Sequence, residues 1–215
     1  MQRIILAACA ILISIPQVGH PQLLRSYGFK GALSSSTHSI SYSYGPELPP
    51  SKRRVGFDLG IYAEWLNVPF FSIITQIDYA QRGYQQGYYL SSANPSTLTL
   101  GYANDRIDYL SIPILMKLRL SDLQPEPYIL FGPRLDFKLS YHQTFVYDYP
   151  TAPPYSDFKP TVFGATVGAG LRVSRVLPVP ILLEFTYNSD FTKSFQPGNM
   201  TLSNNAYDLW IGVEL

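Results

Sequence analysis

The most constraining feature of this sequence is an alternation of apolar and polar residues with a period of two, which recurs in eight segments. Such alternation places every second side chain on the same face of a β-strand. Stretches with the helical period of about 3.6 residues are absent from the sequence. The predicted strands are residues 27–36, 55–66, 70–83, 107–120, 127–142, 161–174, 178–188 and 206–215. The sequence therefore predicts an all-β fold.

The segment RIDYLSIPILMKLRL, residues 106–120, shows the alternation clearly and also contains a proline. Its apolar parity consists of Leu110, Ile112, Ile114, Met116, Leu118 and Leu120. The opposite parity includes Pro113, Lys117 and Arg119. Proline lacks the N–H that a strand donates to its neighbour, and a closed barrel has no edge where this loss is harmless. We therefore expect a bulge or kink at Pro113, with the loss of one ladder hydrogen bond, about 1 kcal/mol.

The length of the predicted strands and the composition both favour a membrane protein. Most of the segments reach about ten residues, which is enough for a tilted strand to cross a bilayer. Charged residues make up only 14% of the chain, against about 25% in soluble domains. No stretch after the N-terminus has the roughly 18–20 apolar residues of a membrane helix. The net charge of +1 argues against a nucleic-acid partner.

The connections between the predicted strands alternate in length. Short links, NVP, SDLQPE and RVLP, follow the second, fourth and sixth strands. Long links, residues 34–54, 84–106, 143–160 and 189–205, follow the others. Outer-membrane barrels have short periplasmic turns and long extracellular loops. The segments GYQQGYYL and TLTLGY inside the second long link also alternate, which predicts a hairpin that projects beyond the membrane.

Charges within the predicted strands occupy the parity opposite to the apolar one. An eight-stranded barrel is too narrow for a water channel, so we expect these side chains to fill its lumen as a charge network. A charge on the lipid face would cost about 2–4 kcal/mol at the midplane, whereas a soluble, lipocalin-like barrel would have its apolar parity inside. The predicted lumenal residues are Asp58, Glu64, Asp78, Arg82, Lys117, Arg119, Arg134, Asp136, Lys138, Arg172, Glu184, Asp208 and Glu214. The sequence thus predicts an eight-stranded antiparallel up-and-down transmembrane β-barrel in a bacterial outer membrane.

The N-terminal segment MQRIILAACAILISIPQVGH has the order of a secretory signal peptide. Arg3 supplies the positive charge, residues 4–15 are apolar, and Pro16 and Gly19 precede the expected cleavage. We expect residues 1–20 to be a cleaved signal peptide and residues 21–215 to form the barrel domain. A lipoprotein signal at Cys9 is an alternative, although apolar residues continue beyond it. Without Cys9 the mature chain has no cysteine, which excludes disulfides.

Five motifs occur in an order that resembles a known family. They are YGFKGAL, IDYAQRGY, YLSIPILMKLRL, PYILFGPRLDFKL and FGATVGAGLRV. Together they resemble the PorT-like outer-membrane β-barrel family, known chiefly from the Bacteroidetes group. The resemblance implies an eight-stranded outer-membrane barrel, and one family member participates in a secretion pathway. The chain departs from the common pattern at Leu215, where outer-membrane barrels usually end in an aromatic residue.

Residues with catalytic potential are few. Ser140 and His142 are two apart, so they share a face of the predicted strand, with Asp136 and Lys138 below them. A serine and a histidine near the outer rim are found in some lipid A-modifying barrels, which makes this pair a candidate catalytic site. Alternatively, Ser140 and His142 only contribute to a polar lining of the lumen. We expect no enzymatic activity. The three histidines and one cysteine lack metal-site spacing, so neither a metal nor another cofactor is expected.

Binding is the remaining kind of function to consider. Tyr-rich external loops on a rigid barrel suit recognition of an extracellular ligand or docking to an envelope protein complex. The loops could also simply shield the top of the barrel. The lumenal charges and the strand count oppose a solute pore. We expect a monomeric barrel whose partners are outer-membrane lipid and any such complex or ligand, with an accessory role in secretion as an alternative.

Overall fold

Eight antiparallel strands form a closed barrel in the computed structural model, which describes residues 23–42, 51–66, 68–91, 98–121, 123–145, 158–174, 178–194 and 200–215. Each strand pairs with the next along the chain, and β1 pairs with β8. The strands are β1 Leu24–Tyr42, β2 Lys52–Trp65, β3 Phe71–Ser91, β4 Leu98–Arg119, β5 Glu126–Phe145, β6 Thr161–Val173, β7 Ile181–Asp190 and β8 Met200–Glu214. The predicted fold class is confirmed. The expected signal peptide lies outside the described residues.

All eight predicted strands are present, but several extend further than the alternation suggested. β3 and β4 pair as far as Ser91 and Leu98, so the expected projecting hairpin is confirmed, and the connection at its tip is residues 92–97. β1 continues to Tyr42, which places His38 in a strand instead of a loop. The reason is that the projecting strands no longer border lipid, so their outward positions need not be apolar.

The connections define two ends of the barrel. Segments 66–70, 120–125 and 174–180 join strands at one end, together with the start of β1 and the end of β8, and we call this the turn end. Segments 43–51, 92–97, 146–160 and 191–199 join strands at the opposite end, which we call the loop end. The longest connection is 146–160, and its last part is described from Phe158. Within the described ranges, no helix is long and apolar enough to cross a membrane.

The apolar parity of the strands faces outward and forms a belt around the barrel, which we call the apolar girdle. Val55 and Leu209, for example, are 72% and 60% exposed. Its members include Phe29, Leu33, Val55, Phe57, Leu59, Ile61, Ile77, Ile114, Met116, Ile129, Phe131, Leu135, Phe137, Leu139, Phe163, Val167, Leu171, Leu183, Phe185, Leu209, Ile211 and Val213. An apolar surface that surrounds the whole barrel indicates contact with lipid and is not expected of a soluble monomer.

The expected bulge at Pro113 is not found. The register with β3 is the same on both sides of Pro113, from Thr75↔Ile114 to Asp78↔Ser111, and Pro113 itself pairs with Arg134 of β5. The register shift between β4 and β5 lies instead between Asp108 and Tyr109, closer to the loop end. Pro113 is buried in the lumen, so its missing N–H is accommodated without a change of register.

Candidate functional site

The lumen contains two levels of ion pairs, and the first lies near the turn end. Glu64 of β2 is its centre: Lys117 donates to it at 2.8 Å, and Arg119 and Arg25 lie 3.7 and 3.5 Å from it. Ser72 also donates to Glu64, at 2.8 Å. A second group on the opposite wall joins Arg172 to Glu214 at 2.7 Å and to Glu126 at 3.7 Å. Buried charges at this end therefore have partners of opposite sign.

The second level lies about halfway along the lumen, where Arg82 of β3 connects strands from both ends of the chain. Its guanidinium lies 2.7 Å from Asp58 of β2 and 3.1 Å from Asp208 of β8. It also donates to the hydroxyl of Ser34 in β1 at 2.7 Å. The side chain is nearly inaccessible to water, as are both carboxylates. One cation thus balances two acids in a volume where charges are poorly hydrated.

Arg134 of β5 forms the other part of this level. It lies 2.8 Å from Asp136 of its own strand and 2.6 Å from Asp190 at the end of β7. Asp190 is an acid that the sequence analysis did not include, because the predicted strand ended at residue 188. A small cavity borders Arg82 and Arg134 and has room for about one water molecule.

Lys30 of β1 is the most significant lumenal residue missing from the prediction. It is buried and donates to Glu184 of β7 at 2.8 Å, and its ammonium group lies 4.4 Å from the centre of the Trp210 ring. Tyr128 donates a second hydrogen bond to Glu184, at 3.0 Å. The signal was available, because Lys30 has the same parity as Gly28, Ala32 and Ser34, opposite to Phe29 and Leu33.

The structure describes the position of every residue in the predicted charge network. Lys138 and Arg172 are half-buried, and Lys138 donates to the backbone carbonyl of Phe158 at 2.7 Å. Asp78 is buried, and its Oδ1 has no hydrogen-bond partner among the described residues. The buried members are Asp58, Glu64, Asp78, Arg82, Lys117, Arg119, Arg134, Asp136, Glu184, Asp208 and Glu214. The network fills the lumen instead of leaving a charged path through it.

Apolar side chains close the lumen at two further levels. A cluster between the two ion-pair levels consists of Tyr62, Ile74, Leu115, Tyr128, Leu130 and Leu182. A second cluster at the loop end consists of Ile107, Tyr109, Phe158, Val162 and Leu202, with Tyr141 packed against it. Phe158 comes from the end of the 146–160 connection, so this connection supplies part of the seal. The side chains of both clusters are buried, so they fill the lumen at these two levels.

The sequence predicts that Ser140 and His142 share a face with Asp136 and Lys138 and lie above them. The structure contradicts this prediction. The register shift leaves Leu139 outside the pairing, so Lys138 pairs with Tyr109 but Ser140 pairs with Asp108. Beyond this bulge the alternation changes face: Tyr141 packs against the apolar cluster in the lumen, whereas the side chain of His142 is 61% exposed. The candidate catalytic pair therefore lies on the exterior of the barrel, near the loop end.

The neighbours of Ser140 are unfavourable for nucleophilic catalysis. Its hydroxyl donates to Asp108 at 2.8 Å, while the distance from Ser140 Oγ to His142 Nδ1 is 3.5 Å. Asp108 is held by Arg106 through two hydrogen bonds of 2.7 and 2.8 Å. A catalytic serine requires a base that can accept its proton, and an orienting group on the far side of that base. Here the Ser140 hydroxyl donates its hydrogen bond to the Asp108 carboxylate. That carboxylate is already paired with the Arg106 guanidinium.

No group of three metal-binding side chains from His, Cys, Asp and Glu is present in the described parts of the chain.

A family described as "Outer membrane protein beta-barrel domain" matches residues 20–196. The chain belongs to this family. In this outer membrane barrel the turn end faces the periplasm and the loop end faces the exterior of the cell.

Solved structures similar to this outer membrane barrel are also outer-membrane barrels. Ail of Yersinia pestis, in complex with the heparin analogue sucrose octasulfate, is 16% identical, with 88% of this chain and 97% of that chain covered and a TM-score of 0.41. Neisserial surface protein A is 14% identical, with 88% and 97% covered and a TM-score of 0.43. AlkL, determined in lipid bilayers, is 11% identical, with 94% of each chain covered and a TM-score of 0.47. Comparison with curated proteins finds no match.

Proposed function

We propose that this outer membrane barrel is a closed, non-enzymatic scaffold that presents a binding surface at its extracellular end. The observation that carries the proposal is the filled lumen, where two apolar clusters and two levels of ion pairs succeed one another along the axis. Such an interior gives the wall rigidity but offers no route for a solute. The five sequence motifs support placement in the PorT-like subfamily.

The extracellular end has the features of a rigid platform. β3 and β4 continue as a paired hairpin to Ser91 and Leu98, and the end of the 146–160 connection is anchored by Phe158, which is 3% exposed. Binding residues on loops are effective when a stable scaffold holds the bases of those loops. An envelope protein complex or an extracellular ligand fits this surface, and an accessory role in secretion is one form of such docking.

The closed lumen predicts the absence of conductance. The purified barrel in planar lipid bilayers should give no stepwise single-channel current, because apolar clusters exclude water at two levels. Reproducible current steps would contradict the closed scaffold.

Cross-linking in intact outer membranes, followed by purification under denaturing conditions, tests the docking role. A stoichiometric partner whose capture is lost when residues 86–103 are replaced by a short turn supports docking. Capture that is unaffected by the shortened hairpin would contradict docking at this hairpin.

We also expect that Ser140 and His142 do not modify lipid A. The double substitution Ser140→Ala with His142→Ala should leave the lipid A mass spectrum of the producing cells unchanged, because the Ser140 hydroxyl is engaged by Asp108. Cells without the gene provide the comparison. A lipid A species that depends on the gene and disappears in the double variant would instead establish an enzyme.

A further inference from the structure

The apolar cluster at the loop end packs against a buried histidine. His38 of β1 is 2% exposed and lies on the extracellular side of Leu33, which belongs to the apolar girdle. Its ring meets the Tyr84 ring of β3 edge-on, with 4.7 Å between the ring centres. The ring of Phe158, a member of the loop-end cluster, lies 6.2 Å away. A titratable side chain is therefore part of the packing that closes the lumen at this end.

The side chain of His38 is buried without a polar partner. Neither its Nδ1 nor its Nε2 has a hydrogen-bond partner among the described residues. Asn204 of β8, which pairs with His38 across the sheet, is also buried, and its Oδ1 has no partner in the described parts of the chain. A neutral imidazole has one donor and one acceptor, and leaving both unpaired disfavours burial. A second proton on the ring would add an unpaired charge to this site.

Hydrogen bonds outside the barrel ladder hold Phe158 in the seal. Residues 158–160, which we call the closing segment, precede β6 and lie outside the eight strands. Lys138 donates from its Nζ to the Phe158 carbonyl at 2.7 Å, and from its backbone N–H to the Pro160 carbonyl at 2.8 Å. The backbone N–H of Lys159 donates to the Ser194 carbonyl at 2.8 Å. Because the closing segment is not part of a strand, it can leave the lumen while the barrel wall stays intact.

Protonation of His38 favours a form of the seal in which its ring is hydrated. Burial lowers the pKa of His38 to about 3, against 6.5 for an ordinary histidine. A histidine with a lowered pKa stabilises the closed form fully above about pH 6.5, and this contribution is lost as the pH falls toward 3. Acid therefore shifts the seal toward the open form.

We propose that the loop-end seal is an acid-sensitive lid, in which protonation of His38 displaces Phe158 and opens the extracellular mouth of the lumen. The deeper cluster, which includes Leu130, consists of aliphatic and tyrosine side chains and stays closed. The lid changes the shape of the extracellular surface, so it adds regulation to the proposed scaffold and does not depend on any particular partner.

The other titratable groups around His38 do not supply this response. Tyrosine and lysine keep their charge state between neutral and weakly acidic pH, which covers Tyr84 of β3, the exposed Lys52 of β2 and Lys159 of the closing segment. Asp105 of β4 pairs with Tyr84 and is buried. Burial raises the pKa of Asp105, so its protonation as the pH falls stabilises the closed form. This effect is opposite in sign to that of His38.

The test measures how well a thiol beneath the lid is protected from labelling. The chain with Cys9→Ser has no other cysteine, so Val162→Cys places a single thiol in the loop-end cluster and Leu130→Cys places one in the deeper cluster. Maleimide labelling of the folded full chain in detergent is compared with labelling of the same variant in urea at the same pH, which cancels the pH dependence of the thiol. Protection of the Val162→Cys thiol should fall about 30-fold from about pH 7.5 to about pH 5. Protection of the Leu130→Cys thiol should stay constant.

Substitutions in the Val162→Cys chain identify the group that responds. His38→Phe keeps an aromatic ring in the packing but cannot be protonated, so protection should be equal at the two pH values. His142→Gln is the matched control, since it removes an exposed histidine at the same end and should retain the fall. Asp105→Asn should also retain it.

Three results would overturn the proposal. Constant protection of the Val162→Cys thiol at both pH values would do so without any further variant, even if His38→Phe fails to fold. A fall that persists in His38→Phe would assign the response to another group. A parallel fall at Leu130→Cys would show unfolding of the whole barrel instead of the opening of a lid.

Discussion

Replacing Arg82 with methionine should lower the free energy of unfolding of the barrel by about 3–5 kcal/mol. The change removes the cation that balances Asp58 and Asp208, whose carboxylates lie 2.7 and 3.1 Å from it. Two acids would then remain buried next to each other without a counter-charge. Equilibrium unfolding by urea in lipid vesicles, followed by tryptophan fluorescence, measures the effect.

A variant that removes all three charges provides the matched control. Arg82→Met combined with Asp58→Asn and Asp208→Asn deletes the acids together with the cation, so most of the lost stability should return. Additivity of the three changes would contradict the explanation, since it would mean that Arg82 acts through packing and not through charge pairing. Arg82→Met would then cost the same free energy with both acids present as in the background of Asp58→Asn and Asp208→Asn.

Replacing Leu59 with arginine should destabilise the barrel by about 2–4 kcal/mol, whereas the same change at Val55 should cost only about 0–1 kcal/mol. Both side chains belong to the exterior of β2, with exposures of 56% and 72%, so the two variants differ mainly in depth. Leu59 lies near the middle of the girdle, where a guanidinium has no water. Val55 lies at its extracellular edge, where the charge can reach headgroups.

The depth dependence is the decisive part of this comparison. The two unfolding free energies should be measured in the same vesicles, with Leu59→Ala and Val55→Ala to separate lost apolar contact from added charge. Equal costs for the two arginine variants would show that the girdle does not span a hydrocarbon layer in the way that its exposure indicates.

The sequence predicts the strands of the barrel wall well because each side chain inside the membrane faces either lipid or the polar lumen. Lipid accepts Val55 and Leu59 but not Asp58, so the faces can be assigned by reading parity alone. Beyond the membrane this constraint ends. The pattern therefore places the outer parts of β3 and β4 in a long link, although the alternation of TLTLGY predicts the hairpin that the structure contains.

The candidate catalytic pair shows where parity fails. The run LDFKLSYHQ continues to alternate through Leu139, yet the bulge there turns Ser140 and His142 to the exterior. An extra residue in one strand leaves the apparent sequence pattern intact, because Tyr141 is as acceptable in the lumen as Leu139 is on the surface.

The ion pairs of the lumen also constrain how the barrel is assembled. Lys30 in the first strand is bonded to Glu184, 154 positions later, and Arg82 to Asp208, 126 positions later. The early strands therefore carry charges whose partners are synthesised last, and a half-formed sheet would bring unpaired charges toward the bilayer. The free energy of these ion pairs is therefore gained only when the first and last strands are both in place, so closure of the barrel and neutralisation of its early charges are linked.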